Sequence, residues 1–441
     1  MYVLMRIALI NSKEDIAGAN IRDHLISMLA EEGPWPLAEQ HTLTFYEVQG
    51  RLIYQDRIDD EVDADLIIFI SRHSSVQAVP ALTVHVTGNY GSADLGGEPG
   101  ALAPAAPEWM HAILANLASR TPEGYRVSYE VTHHGPTALA VPSLFVEIGS
   151  TAAEWADPAA GRAVAESILS AVPEETINLI GLGGTHYAVR QTGIALSSRA
   201  AFGHIVPARQ TGALTPALVR RMQEASRAVA AYIDRKSLAT GEAGRVERML
   251  DDAGFLILSE SEIVEASRLE WGTYLQVRAL AETIAAGSRI HIHGLAGQGT
   301  PVPVEVNPDL VEETLKSAKE RFIESISDFP LVSISKGSME VLPTFIGFAD
   351  TASRLASDIT TLCVKLLLIC ENAVIDGDHL VLRKVRFDPE KARMLGVPKG
   401  PLFAMLAGGK AVEIEGRRIT PDTVQTTSVK WILIPGLERY I

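Results

Sequence analysis

Apolar and polar positions in the first 270 residues alternate between two textures. Short, β-branched apolar runs recur at Val3–Ile10, Leu43–Val48, Leu66–Ser71, Leu82–Thr87, Arg126–Val131, Leu144–Ile148, Asn178–Gly181 and Gly203–Val206. Between several of them lie longer segments with helical spacing: Asp15–Ala30, Pro107–Ala118, Ala152–Ala171 and Pro216–Arg235. Strand runs alternating with amphipathic helices predict an α/β fold with a mixed, largely parallel sheet sandwiched by helices. Ser150-Thr151 ahead of Glu154 approximates a capping box, and Thr215-Pro216 opens the next helix. A last strand, Gly254–Leu258, and a short helix, Ser261–Leu269, close this unit, and Trp271-Gly272 marks the expected boundary.

Beyond the boundary the texture changes. Helices are expected at Tyr274–Ala286, Pro308–Ser327 and Ala349–Cys370, around a Gly/Pro-rich loop, Gly294–Pro303, with strands and turns to the end. Two domains follow: residues 1–271, and a smaller α+β C-terminal domain, 272–441. A length of 441 residues suits two cores better than one.

Composition narrows the class. Hydrophobic residues make up 47% and charged residues 21%, which is ordinary for folded globular protein. The two cysteines, Cys363 and Cys370, exclude a disulfide scaffold and a four-cysteine zinc site, and fit a reducing compartment. Met1–Asn11 lacks the basic region and cleavage site of a secretory signal, and the run at 361–370 is too short to span a bilayer. A cytoplasmic protein without membrane segments is expected. Net charge is −15, carried by the first part: 20 basic against 34 acidic residues in 1–270, and 19 against 20 in 271–441. Two segments run against this trend. Arg199–Arg248 and Arg383–Arg418 each hold nine basic and four acidic residues, either solvated surface or phosphate-contacting faces.

Nine of the twelve histidines precede residue 205, and several fall where apolar strands end: Arg72-His73, Thr132-His133-His134-Gly135, Gly184-Thr185-His186-Tyr187 and Gly203-His204. Ligands bind open parallel sheets in the crevice outside the carboxyl ends of the strands, so four such ends predict one convergent polar site. Glu130 leads into His133-His134. Glu147 sits within the apolar run Phe145–Ile148 and needs a buried partner, a histidine or arginine of the cluster, with His134 one candidate. Adjacent strand residues point to opposite faces, so only one of His133 and His134 enters the site unless the strand ends between them. Histidines with a carboxylate suit two mechanisms: metal binding through neutral imidazoles, or a general base on water beside a second histidine that polarises the carbonyl. The spacings leave both open. Gly181-Leu182-Gly183-Gly184 supplies close backbone approach or a plain tight turn; it is not a dinucleotide fingerprint. The loop from Gly88-Asn89 to Gly100 is long enough for a substrate lid or an ordinary surface loop.

These motifs, in this order, resemble the archaeal and plant type of D-aminoacyl-tRNA deacylase. They are Ser71-Arg72-His73, Leu82-Thr83-Val84-His85 with Gly88-Asn89, Thr132–Pro136, Phe145–Ser150, Gly183–Tyr187 and Gly203-His204-Ile205, and the resemblance covers residues 1–271. It implies a fold like that of peptidyl-tRNA hydrolase and the nucleoside phosphorylases, with 1–271 as the catalytic domain. It further implies hydrolysis of the ester between a D-amino acid and the tRNA terminal ribose, with zinc as cofactor and tRNA as partner. By position, His133, His134, His186 and Glu147 are assigned to catalysis. Arg72, His73, Asn89, Gly183, Gly184, Tyr187 and His204 are assigned to substrate binding. His73, His134 and His186 are the candidate ligands for the zinc that the resemblance implies. In the C-terminal domain, Leu395–Phe403 is similar to a segment of the zinc-dependent endonuclease that trims tRNA 3′ ends. The nuclease's HxHxDH motif is absent: His291-Ile292-His293 continues as Gly294-Leu295. RNA contact or a structural turn are the two readings of that segment. A nucleoside phosphorylase-like transferase and a non-catalytic RNA-binding protein are the alternatives to the hydrolase.

Overall fold

The computed structural model describes residues 4–31, 33–75, 78–337, 340–370 and 373–441, so Val3 of the first expected strand lies outside the described residues. The chain divides between Ser267 and Arg268 into two compact units. The expected boundary at Trp271-Gly272 falls a few residues later, at the start of a helix.

In the first unit, a six-stranded sheet is built from β1 (Arg6–Ser12), β2 (Thr42–Val48), β3 (Leu66–Arg72), β4 (Ala81–His85), β5 (Arg126–Tyr129) and β6 (Ser143–Gly149). Its strand order is β2-β1-β3-β6-β4-β5. The first four strands in that order are parallel, β4 lies antiparallel to β6, and β5 is parallel to β4. Helices α1 (Ile16–Ala30), α2 (Pro36–Gln40), α3 (Pro107–Arg120), α4 (Ala152–Trp155) and α5 (Pro158–Leu169) are interleaved with these strands; α1 packs on β3 and α5, and α3 on α5. Strand β6 is buried along its whole length and β3 everywhere except Arg72, as strands covered on both faces must be.

The rest of this unit forms a second, all-parallel sheet in the order β10-β9-β7-β8, from β7 (Ile177–Leu182), β8 (Ala200–Val206), β9 (Ala230–Ile233) and β10 (Leu256–Leu258). Its helices are α6 (Val189–Leu196), α7 (Pro216–Ser226), α8 (Glu242–Asp252) and α9 (Glu260–Ala266). Two local expectations are corrected. The segment 216–235 is not one helix: α7 ends where Arg227 turns left-handed (φ 49°), and Ala230–Ile233 is a buried strand. The segment 152–171 breaks at Asp157-Pro158, because Asp157 caps the amide of Ala159 and proline occupies the first turn of α5. Helix α6 was not expected; it is eight residues long and starts without a side-chain cap.

In the second unit, α10 (Trp271–Ile284), α11 (Pro308–Ile326) and α12 (Ala352–Cys370) accompany an antiparallel sheet. Its strands are β11 (Arg289–Ile292), β12 (Pro301–Glu305), β13 (Val332–Lys336) and β14 (Glu340–Phe348), in the order β11-β13-β14-β12. A three-stranded antiparallel sheet, β15 (Ala373–Asp376), β16 (His379–Phe387) and β19 (Gln425–Leu433), follows. Between its last two strands lie α13 (Pro389–Met394), α14 (Pro401–Ala407) and the hairpin β17 (Val412–Ile414) and β18 (Arg417–Ile419). Phe322, Phe345, Ile359, Val364, Leu380 and Ile432 share one core. At its edge Glu313 takes Lys384 at 2.7 Å, Lys316 at 3.0 Å and Lys430 at 3.3 Å. No described helix is long and apolar enough to cross a membrane.

Candidate active site

Strand register fixes the floor of the site. Ser71 of β3, Glu147 of β6 and Thr83 of β4 stand side by side, as do Phe69, Phe145 and His85. Residues in register on neighbouring strands project from the same face, so Ser71, Glu147, Thr83 and His85 share one side of the sheet. This corrects the expectation of a common carboxyl rim. Because β4 runs against β6, its carboxyl end at His85 lies opposite Phe145 in mid-sheet, and the polar cluster forms over a face.

Loops deliver the remaining groups. Strand β5 ends at Tyr129, so the alternation that would separate His133 from His134 no longer applies. His134 takes a left-handed backbone (φ 46°), and the two rings meet with centroids 4.3 Å apart. Glu130 bridges to Tyr187, which draws the Gly184–Tyr187 loop of the second sheet onto the first. Gly149 at the end of β6 is required by close approach: a Cβ there would sit 2.5 Å from the His73 ring.

The cluster has two halves of opposite electrostatic character. In one, the fully buried Glu130 carboxylate lies 3.0 Å from His73 Nδ1, 3.0 Å from His186 Nε2 and 3.5 Å from His133 Nε2. Burial works against the Glu130 charge, but His186 and His73 outweigh it and hold the carboxyl well below the usual range. Burial likewise opposes the His73 and His186 imidazoliums, and Glu130 outweighs it, so both pKa values are raised. Glu147 goes the other way. Burial first, then the neighbouring Glu130 charge, pushes it up to about 8, and Ser71 Oγ donates to its Oε1 at 2.5 Å. Its expected partner, His134, is replaced by Ser71 and, at 3.8 Å, His73 Nδ1. His73 Nε2 meets the Tyr187 hydroxyl at 3.0 Å.

The other half is neutral. Burial lowers His85 and His134 well below the ordinary imidazole value and brings His133 to about 4. His133 Nδ1–H donates to the Val131 carbonyl at 2.8 Å, and His134 Nδ1–H donates to the Gly135 carbonyl at 2.6 Å. Those bonds assign the proton to Nδ1 and leave each Nε2 lone pair facing inwards. His134 Nε2 lies 3.3 Å from His85 Nε2, and His133 Nε2 faces Glu130.

This arrangement fits a metal ion. Neither Glu130 oxygen has an aligned hydrogen bond among the described residues, and converging lone pairs repel unless a cation lies between them. The ring nitrogens of His85, His133 and His134 lie within 4.8 Å of one another, as do the candidate atoms of His73, Glu130 and His186. Backbone carbonyls orient the outer nitrogens of His133 and His134, the usual support of metal-binding imidazoles, whereas His85 Nδ1 has no such partner among the described residues. The expected ligand set of His73, His134 and His186 is therefore divided: His134 belongs with His85 and His133, and the other two face Glu130.

Several expected substrate contacts lie elsewhere. His204 is fully buried, with Nδ1 3.1 Å from Thr132 Oγ1 and Nε2 2.9 Å from the Ala103 carbonyl, so both nitrogens are spent on structure. Asn89 uses its amide to donate to the carbonyls of Gly96 and Glu98. The amides of Gly183 and Gly184 donate to the Val206 carbonyl and Ser237 Oγ, so this turn presents neither N–H to a ligand. Arg72, by contrast, stacks on Trp155, 5.2 Å from the ring, and lines a pocket that adjoins the cluster through Ser71 and Phe145. His85 and the central role of Glu130 were not anticipated. An expected strand running to Thr87 hid the strand end at His85, and Glu130's position before His133-His134 was the available signal for the other.

Fold and site together define an α/β protein with a largely parallel sheet and a buried histidine–glutamate cluster. The sequence profile of the D-aminoacyl-tRNA deacylase family matches residues 60–258. The D-aminoacyl-tRNA deacylase of Methanoculleus marisnigri is 74% identical over 437 residues, covering 99% of this chain and 100% of that protein. That of Methanosarcina mazei is 39% identical over 279 residues, covering 59% of this chain and 94% of the relative. A crystal structure of a conserved protein of unknown function matches with a TM-score of 0.55 and 34% identity, over 61% of this chain and 100% of that one. The chain belongs to the D-aminoacyl-tRNA deacylase family.

Proposed function

We propose that this chain hydrolyses the ester of D-aminoacyl-tRNA, releasing the D-amino acid and tRNA, in the cytoplasm where charged tRNA is used. The observation that carries the reading is the half-exposed His186, its Nε2 backed by a buried carboxylate, beside three neutral imidazoles. His186 Nδ1 has no protein partner among the described residues and is placed to take a proton from water. Glu130 holds the ring in that tautomer and stabilises the imidazolium that forms, the role of the buried carboxylate in a catalytic triad. Water then adds to the ester carbonyl, the acyl–oxygen bond breaks, and His186 returns the proton to the departing ribose oxygen. Tyr187, through His73, braces the same carboxylate.

His85, His133 and His134 would hold zinc, which when bound supplies Lewis acidity towards the ester carbonyl. Glu147, protonated at neutral pH and hydrogen-bonded to Ser71, keeps a second negative charge out of the cluster. The family profile, confined to residues 60–258, supports placing the chemistry in the first unit, and the second would then have an accessory, tRNA-contacting role.

The test is incubation with D- and L-aminoacyl-tRNA, with and without a chelator. Release of the D-amino acid alone, lost on chelation and recovered with zinc, is the expected result. Phosphate-dependent cleavage of a free nucleoside, or binding without turnover, would replace this reading with a transferase or an RNA-binding protein.

A further inference from the structure

A pocket beside the cluster carries two guanidinium groups that the chemistry above does not use. Ser12 and Asp15 from the β1–α1 turn, Ser71 and Arg72 from the end of β3, Arg51 and Phe145 line it, with the exposed Glu14 at its lip. It sits at the carboxyl ends of β1 and β3. The chain passes from β1 to β2 on one side and then crosses to β3 on the other, so this is the switch point of the parallel part of the sheet. The pocket shares Ser71 and Phe145 with the catalytic face, where Ser71 bonds Glu147 and the Phe145 ring lies 5.4 Å from that of His85. Arg51 is near enough to His134 for its charge to disfavour the imidazolium.

Of the two carboxylates lining the pocket, Glu14 is exposed to solvent and Asp15 is already committed. Asp15 Oδ1 accepts from the amides of Ala17 and Gly18, and its Oδ2 from the amide of Arg72. Arg51 and Arg72 form no ion pair among the described residues; each lies over an aromatic ring, Tyr54 at 5.8 Å and Trp155 at 5.2 Å. Ring contact holds a guanidinium in place while leaving its N–H groups for a ligand. In a chain of net charge −15, two such groups at the mouth of a hydrolytic cluster call for an anion.

We propose that Arg51 and Arg72 bind a backbone phosphate of the single-stranded 3′ end of the tRNA and so position the terminal ester over the histidines. This deepens the deacylase reading and rests on it. A planar guanidinium offers paired N–H donors to phosphate oxygens, which a lysine cannot match. The two arginines therefore govern how the nucleic-acid part of the substrate is held, while the cluster acts on the acyl part.

The test compares D-aminoacyl-tRNA with D-aminoacyl-adenosine, which carries the same ester and no phosphate. With the full chain, Arg51→Ala and Arg72→Ala are each expected to raise KM for the tRNA about tenfold or more, the loss of one charged hydrogen-bonding partner. The kcat/KM ratio of tRNA over adenosine ester falls by a similar factor. The slope of log KM against log salt drops by about 0.7 for each arginine removed, and Arg→Lys restores the slope but only part of the affinity. A KM for tRNA within twofold of wild type overturns the proposal. So does an equal loss on both substrates, which would assign the arginines to the fold or the chemistry. A wild-type chain that hydrolyses neither ester overturns the deacylase reading itself, and this one with it.

Discussion

Replacing Glu130 with glutamine tests the centre of the site at constant size. The carboxylate is fully buried, with His73 Nδ1 3.0 Å from one oxygen and His186 Nε2 3.0 Å from the other. An amide keeps one acceptor and turns the other position into a donor. One imidazole must then present a lone pair inwards and carry its proton on the outer nitrogen. If that ring is His186, the proton sits on the atom that has to accept one from water. The same carboxylate-to-amide change behind a catalytic histidine elsewhere costs about 10⁴ in rate through the wrong tautomer. Here the expected loss in kcat is about 10³–10⁴, or roughly 4–5.5 kcal/mol of barrier. Single-turnover release of D-amino acid from labelled D-aminoacyl-tRNA measures it, with a thermal melt run beside it to separate lost chemistry from lost fold. A folded E130Q enzyme within tenfold of wild type would remove Glu130 from the role of orienting base partner. His186 would then be acting without it.

Three further outcomes follow from other parts of the chain. His85→Ala and His134→Ala should each lower bound zinc per chain after dialysis, measured by elemental analysis; full zinc content in both would move the metal to the Glu130 half of the cluster. His204→Ala should cost about 2–4 kcal/mol of unfolding free energy, because it leaves the Ala103 carbonyl buried without its partner, leaves Thr132 Oγ1 only the Ile205 amide, and opens a cavity. Denaturant unfolding reads this, and an unchanged midpoint would return His204 to the list of candidate ligand contacts. Glu313 carries an acid-dependent share of the second unit's stability. Burial opposes its charge, but three lysines hold its pKa down to about 2 from 4.5. A depressed carboxylate stabilises the fold above its unfolded value and loses that contribution as pH falls towards the folded one. Up to about 3 kcal/mol is at stake, about 2 of it gone by pH 3. Glu313→Gln should flatten the fall in unfolding free energy between pH 5 and pH 3, and parallel curves would show that the lysines contribute nothing net.

The sequence made the layers legible and the site only in outline, and the reason lies in particular residues. Runs such as Leu66–Ser71 and Leu144–Ile148 are continuously apolar because both faces of β3 and β6 are covered, and periodicity reports that directly. Strand direction leaves no such mark. Nothing in Leu82-Thr83-Val84-His85 distinguishes a strand parallel to β6 from one antiparallel to it, yet that choice moves His85 from the rim to the middle of a face. Register has the same character: Ser71, Glu147 and Thr83 are 64 or more residues from their neighbours in the row, and only pairing makes them one. His204 resembles the clustered histidines in sequence, at a strand end beside glycine, and differs only in what surrounds its two nitrogens. Local pattern thus identifies residues able to carry chemistry, whereas partners distant in the chain decide which of them do. Glu130 is the clearest case. Its surroundings come from His73, His133 and His186, of which only His133 is near in sequence, and from the bridge to Tyr187 that carries the loop of one sheet onto the face of the other.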